Sequence, residues 1–318
     1  MKLGVMNPAL YSMSIEEAFK YLNSLGVQAV ELGVGGYPGN THTEAFLSGE
    51  RSVDELKELL KKYELTVSAV SCHGNPVHPQ KDIADKFHKE FEAGVLFAEK
   101  LGVNTINGFS GCPGDSAGSK WPNWVTCAWP DDFGEVVKYQ WDEVIIPYWT
   151  KMGKFMNDHG VRVAFEMHPG FCVYNPYTLL RLRKAVGDVI GANFDPSHLI
   201  WQGMDPVAAI RELEGAIYHF HAKDTRIDKY NTAKNGVLDY RHFSNNAERS
   251  WNFRTVGYGM GDQMWKEIVI ALRTIGYDGA LSIEHEDNMM SVKEGLEKAI
   301  AVLKNALVFE ESDGMWWA

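Results

Sequence analysis

Four stretches of the chain end an apolar run with groups able to hold a cation or move a proton. They are "FEMHPG" with Glu166 and His168, "NFDPSH" with Asp195 and His198, "YHFHAKD" with His219, His221 and Asp224, and "LSIEHED" with Glu284, His285 and Glu286. A polar group at the end of a buried strand either caps the next turn or, in a barrel of parallel strands, faces the mouth where reactive groups collect. Side chains alternate along a strand. This alternation pairs Glu166 with His168, His219 with His221, and Glu284 with Glu286, and it turns His285 toward an outer layer. Lys223 is expected to point outward, with no role.

One group per strand gives Glu166, Asp195, His221 and Glu284, three carboxylates and one imidazole. Such a set suits one divalent ion, Mn²⁺ first or Mg²⁺, with Co²⁺ or Zn²⁺ also compatible, and leaves positions open for two adjacent substrate oxygens. The alternative is that these groups cap helices or form structural ion pairs. His168, and His73 in "SCHGNP", either line the same pocket and bind substrate or pair with carboxylates behind the ligands. Asp224 and Glu286 are expected to orient imidazoles from behind rather than hold the ion.

Elements able to bring these groups together are legible in a recurring join. A helical pattern ends in glycine and passes into an apolar strand at Gly26, Gly102, Gly160, Gly187 and Gly276, the left-handed helix stop expected at an αβ junction. Helix starts are marked by Ser14 with Glu17, Ser52 with Glu55, Ser291 with Glu294, and Asp205 before Pro206. Strands are expected near 2–6, 28–33, 66–72, 103–109, 161–167, 190–195, 216–222 and 280–285. Eight βα units predict an α/β fold, a single-domain (β/α)8 or TIM barrel over residues 1–308, with a tail at 309–318. Long βα loops follow strands four and seven, 109–135 and 224–261, and both are rich in aromatics. They are expected to act as lids or as extra core over the barrel top.

Composition limits the partners. The 318 residues carry 31 basic and 42 acidic side chains, a net charge of −11, which disfavours a phosphate backbone or an anionic membrane surface. Cys72, Cys112, Cys127 and Cys172 form no C-x-x-C pair, so a cytoplasmic, reduced protein is expected. The N-terminal stretch lacks the layout of a signal peptide, and no apolar run is long enough to span a bilayer. Trp316 and Trp317 either pack on their own barrel or are anchors for a homo-oligomer or a small partner subunit.

Glu166, "DPSH" at 195–198, "HAKD" at 221–224 and Glu284, in that order, give the chain a resemblance to the xylose isomerase-like superfamily of sugar phosphate isomerases and epimerases. The resemblance implies a divalent metal on Glu166, Asp195, His221 and Glu284, with His198 and a nearby basic residue, for which Arg226 is the candidate, touching a carbohydrate substrate. Cys172 stands where the ketose 3-epimerases of that group carry a second glutamate. "HPGFCVYNP" and "EHEDNMMS" look more like a subgroup acting on keto-sugars and glycosides, which includes C-glycoside deglycosidases with a small partner subunit. A DNA-repair endonuclease of the same superfamily would need further ligands and a basic face, which the net charge opposes.

The implied chemistry is proton removal beside a carbonyl chelated with its neighbouring hydroxyl, giving a metal-bound cis-enediolate. Glu166 or Glu284 is the base, and His198 joins them as a catalytic group. Proton return to the same carbon is epimerisation, return next door is isomerisation, and loss of a group one carbon further is a lyase reaction. A non-catalytic sugar-binding protein is the reading from another class.

Overall fold

The computed structural model describes residues 1–36, 41–315 and 317. Eight parallel strands close into a barrel: β1 (Lys2–Met6), β2 (Ala29–Gly35), β3 (Thr66–Cys72), β4 (Thr105–Gly108), β5 (Arg162–Glu166), β6 (Ile190–Phe194), β7 (Ile217–Ala222) and β10 (Ala280–Ile283). Closure is made at β1, where Val5 sits in register with Val30 of β2 on one side and Ile283 of β10 on the other. The strands fall within two residues of the positions expected from hydrophobic patterning.

Helices cover the barrel because their apolar faces match it. Helix Lys81–Leu101 buries Phe91, Val95, Phe97, Ala98 and Leu101 and stops at Gly102, whose φ of 81° is the left-handed cap. Gly94 lets this helix press on the sheet, since a Cβ there would lie 2.9 Å from Val34 and 3.0 Å from Ile106. Ser14 and Glu17 form a reciprocal capping box, and Ser52, Asp205 and Ser291 each accept a first-turn amide of the helix they begin.

The interior of the barrel departs from the usual stack of aliphatic layers. His219 of β7 reaches across to Asn107 of β4 at 3.0 Å and Ser68 of β3 at 3.0 Å, and also meets Asn193 of the adjoining β6 at 2.9 Å. Glu31 of β2 accepts from His221 of β7 at 2.8 Å and from Ser282 of β10 at 3.0 Å. Most of these contacts join strands that are not sheet neighbours, so the side chains cross the lumen. The apolar mass lies instead between barrel and helices, where Trp149, Phe165, Phe194, Phe220 and Trp265 are fully buried.

The two long loops are structured. The first runs from Phe109 to the helix beginning at Asp132. The second contains an antiparallel hairpin, β8 (Asp224–Ile227) with β9 (Trp251–Arg254), and a short helix Lys229–Asn235. This hairpin was not expected from a stretch without clear period. It forms because Asp224 anchors it, as described below, and because Trp251 and Phe253 pack with Trp201 into a small core separate from the main one. Among the described residues, regular structure ends with the helix Val292–Ala306; of the two terminal tryptophans, Trp317 is exposed and Trp316 lies outside the described residues. No described helix is long and apolar enough to cross a membrane.

Candidate metal centre

Glu166 ends β5, Asp195 follows β6, His221 lies in β7 and Glu284 follows β10, so four consecutive barrel strands deliver them to one mouth. One ligand-type atom from each lies within 4.8 Å of all the others. His221 Nδ1 is 3.1 Å from Glu166 Oε2 and 3.1 Å from Glu284 Oε2. Glu166, Asp195 and His221 are fully enclosed, and the Glu284 side chain is 14% exposed.

The donor set fits a cation on two grounds. His221 Nδ1 and Asp195 Oδ2 are buried atoms that make no directed hydrogen bond and meet charged neighbours, Glu166 and Glu284 for the imidazole and Lys223 for the carboxylate, an arrangement in which a cation can take their place. Four carboxylates, those of Glu166, Asp195, Glu284 and Glu286, crowd around a single ammonium, Lys223. Buried carboxylates in that ratio call for further positive charge. Glu166, Asp195, His221 through Nδ1, and Glu284 are the residues that would hold it.

His221 is oriented for this task from behind. Its Nε2 is 2.8 Å from Glu31 Oε2, the carboxylate-imidazole pairing that fixes the ring and leaves the opposite nitrogen facing the site. Glu31 is not among the residues expected at the site, because "AVELG" reads as an apolar strand; a lone glutamate inside such a run is the signal. Asp195 is also held in place, since its Oδ1 accepts the Ser197 amide at 2.8 Å at the start of the helix Pro196–Trp201.

His198, His73 and His168 converge on Glu166. His198 Nε2 is 2.8 Å from Glu166 Oε1 and 3.4 Å from Asp195 Oδ2. His73 Nε2 is 3.5 Å from Glu166 Oε2. The His168 ring lies 4.0 Å from that of His198, and its Nδ1 is 2.6 Å from the carbonyl of Pro169. His285 turns outward, with its ring against Gly295 of the last helix.

Four expectations need correction. Lys223 faces inward: Nζ is 2.8 Å from Glu284, 3.0 Å from Asp195 and 3.1 Å from Glu286. The reason is the same alternation that placed His221, because residues 221 and 223 share a face. Asp224 orients no imidazole; it accepts the amides of Thr225, Gly257, Gly259 and Met260 and the indole N–H of Trp265. Arg226 is exposed on β8 and lines a different cavity, with Ile200 and Tyr230, rather than the carboxylate cluster. Glu286, assigned the same orienting part as Asp224, instead meets Lys223.

Electrostatics follow from this crowding. Burial disfavours the charged form of Glu166, yet Lys223 and the imidazoles of His198, His221 and His73 hold its carboxyl well below the usual range. Burial, aided by Glu166 and Glu284, pushes Asp195 up to about 7 against the pull of Lys223. Glu284 is held at about 2, where Lys223 and His221 overcome burial and the repulsion of Glu166. Burial, with His168 and Lys223, lowers His198 to about 3, so its imidazole is neutral. Lys223 stays charged despite burial because Asp195, Glu284, Glu286 and Glu166 surround it.

Residues 19–306 match the family described as xylose isomerase-like TIM barrel. The chain belongs to that family. The uncharacterized protein YfiH of Bacillus subtilis (strain 168) is 37% identical over 318 residues, covering 96% of this chain and 99% of YfiH. Solved structures of similar fold include the probable 3-DHS dehydratase AsbF of Bacillus anthracis, at 20% identity over 96% of this chain and 99% of that one, with a TM-score of 0.67. The IolI protein, solved with a zinc atom, aligns at 16% identity over 96% and 98% with a TM-score of 0.68. The 3-keto-D-glucoside 4-epimerase YcjR of E. coli aligns at 14% identity over 96% and 99% with a TM-score of 0.65. At these identities the solved structures speak for the fold.

Proposed function

We propose that the protein is a divalent-metal-dependent isomerase or epimerase of a keto-sugar or sugar derivative, working by proton transfer beside a carbonyl through a cis-enediolate. The observation that carries this reading is the convergence of Glu166, Asp195, His221 Nδ1 and Glu284 within 4.8 Å. The ion, Mn²⁺ first on the oxygen-rich donor set, would polarise a carbonyl and its neighbouring hydroxyl and lower the cost of the charge that develops when the hydroxyl-bearing carbon loses its proton.

The chain's own residues supply the rest. Glu284 and Glu166 are both ionised at neutral pH and can each accept the α-proton. His198, donating Nε2–H to Glu166 Oε1, steadies that carboxylate. Lys223, 2.8 Å from Glu284, places a fixed positive charge beside the atom that gains and loses the proton. Enclosure of the cluster excludes water, which strengthens each of these charges.

Lys223 also favours a second reading, a lyase on a 3-keto-glycoside, because an ammonium at this place can protonate a departing oxygen. The fold likeness to a probable dehydratase and to an epimerase of 3-keto-D-glucoside supports keeping both outcomes of one intermediate. Incubation of keto-sugars and keto-glycosides in D₂O with Mn²⁺ tests the reading. Deuterium should enter at the α-carbon, and the Glu284→Gln variant should lose roughly 10²–10⁴-fold of that rate. A bound sugar with no exchange, with or without metal, would instead mark a sugar-binding protein.

A further inference from the structure

The wall of the site beyond the imidazoles is aromatic. A cavity of about 490 Å³ opens outward from His168 and His198 and is lined by Trp124, Trp201, Tyr240, Phe243, Trp251 and Phe253. The rings are ordered as platforms. Trp201 and Trp251 stack in parallel at 4.6 Å and 6°, and Phe243 stacks on Phe253 at 5.4 Å and 17°. Phe253 joins this wall to the candidate metal centre, since Lys223 Nζ lies 4.7 Å from its ring centre and the His198 ring meets it edge-on at 5.3 Å.

Polar groups in the lining are few. Asp239 is committed, with Oδ1 accepting from Arg241 and Oδ2 from the Ser250 amide. No lysine or arginine lines the cavity among the described residues, so nothing there would hold a phosphate.

We infer that this cavity is a second subsite, taking a planar, uncharged aromatic ring joined to the sugar that reacts at the carboxylate cluster. The substrate class is then an aryl glycoside in place of a free or phosphorylated sugar. The inference rests on the proposed function only for where the sugar sits; the ring-binding half stands on the cavity itself.

Calorimetric titration of the full-length protein with Mn²⁺ present tests it, using phenyl β-D-glucoside, methyl β-D-glucoside and glucose 6-phosphate. The phenyl glucoside should bind about tenfold or more tighter than the methyl glucoside. That preference should shrink in Phe243→Ala, at the partly exposed edge of the wall, and in Trp124→Ala, which removes another ring from the lining. A circular dichroism spectrum like that of the wild type shows that each variant folds. Equal affinity for both glucosides, tighter binding of glucose 6-phosphate, or no binding of the phenyl glucoside would overturn the subsite. Turnover of small keto-sugars without aryl preference would leave the proposed reaction standing and remove the subsite. Aryl preference without any α-carbon exchange would do the reverse.

Discussion

At the scale of the residue, the site depends on how a few side chains share buried charge. His221 is useful to a cation only if Nδ1 is free, and Glu31 makes it so by holding Nε2 at 2.8 Å. Glu31→Gln should therefore weaken Mn²⁺ binding by roughly 10–100-fold, read by calorimetry; an unchanged affinity would mean that Glu31 serves only the barrel interior. Lys223 stands in the opposite relation to the ion, because its ammonium already neutralises Asp195 and Glu284. In Lys223→Met the metal-free protein is left with unpaired buried carboxylates. Its melting temperature should fall, and the rise on adding Mn²⁺ should exceed that of the wild type. Equal rises in both proteins would show that lysine and ion do not compete for the same charge.

At the scale of the element, the barrel and its ligands were legible because strands repeat every two residues and end where the apolar run ends. Glu166, Asp195 and Glu284 stand at such ends. What escaped was any feature set by contact across the chain. Glu31 is one polar residue in a buried strand, and its partner is 190 positions away. Lys223 could have been read, since two residues from His221 means the same face. The hairpin of β8 and β9 could not, because its anchor is the set of donors that Asp224 collects from residues 225 to 265. Asp224→Ala strands those buried donors together. It should cost about 3 kcal/mol or more in denaturant unfolding and loosen the loop that carries the aromatic wall. A loss under about 0.5 kcal/mol would show that the loop is held by its ring stacking instead.

At the scale of the whole molecule, the barrel spends its interior on polarity. Where aliphatic layers would normally fill the lumen, His219, Asn107, Asn193, Ser68, Glu31 and Ser282 form a hydrogen-bonded floor beneath the carboxylate cluster. Stability then comes from the seam between strands and helices, and the mouth is left dependent on added positive charge. Saturating metal should stabilise the fold by about 2.7 kcal/mol at a concentration 100 times its dissociation constant, and EDTA should reverse this without unfolding the protein at room temperature.

The shared ion is the central claim, and anomalous diffraction from crystals soaked in Mn²⁺ tests it most directly. One peak is predicted, touching Glu166, Asp195, Nδ1 of His221 and Glu284, with Lys223 drawn toward Glu286. Absence of a peak among these four side chains, or Lys223 still seated between Asp195 and Glu284 in crystals with manganese bound elsewhere, would contradict the account.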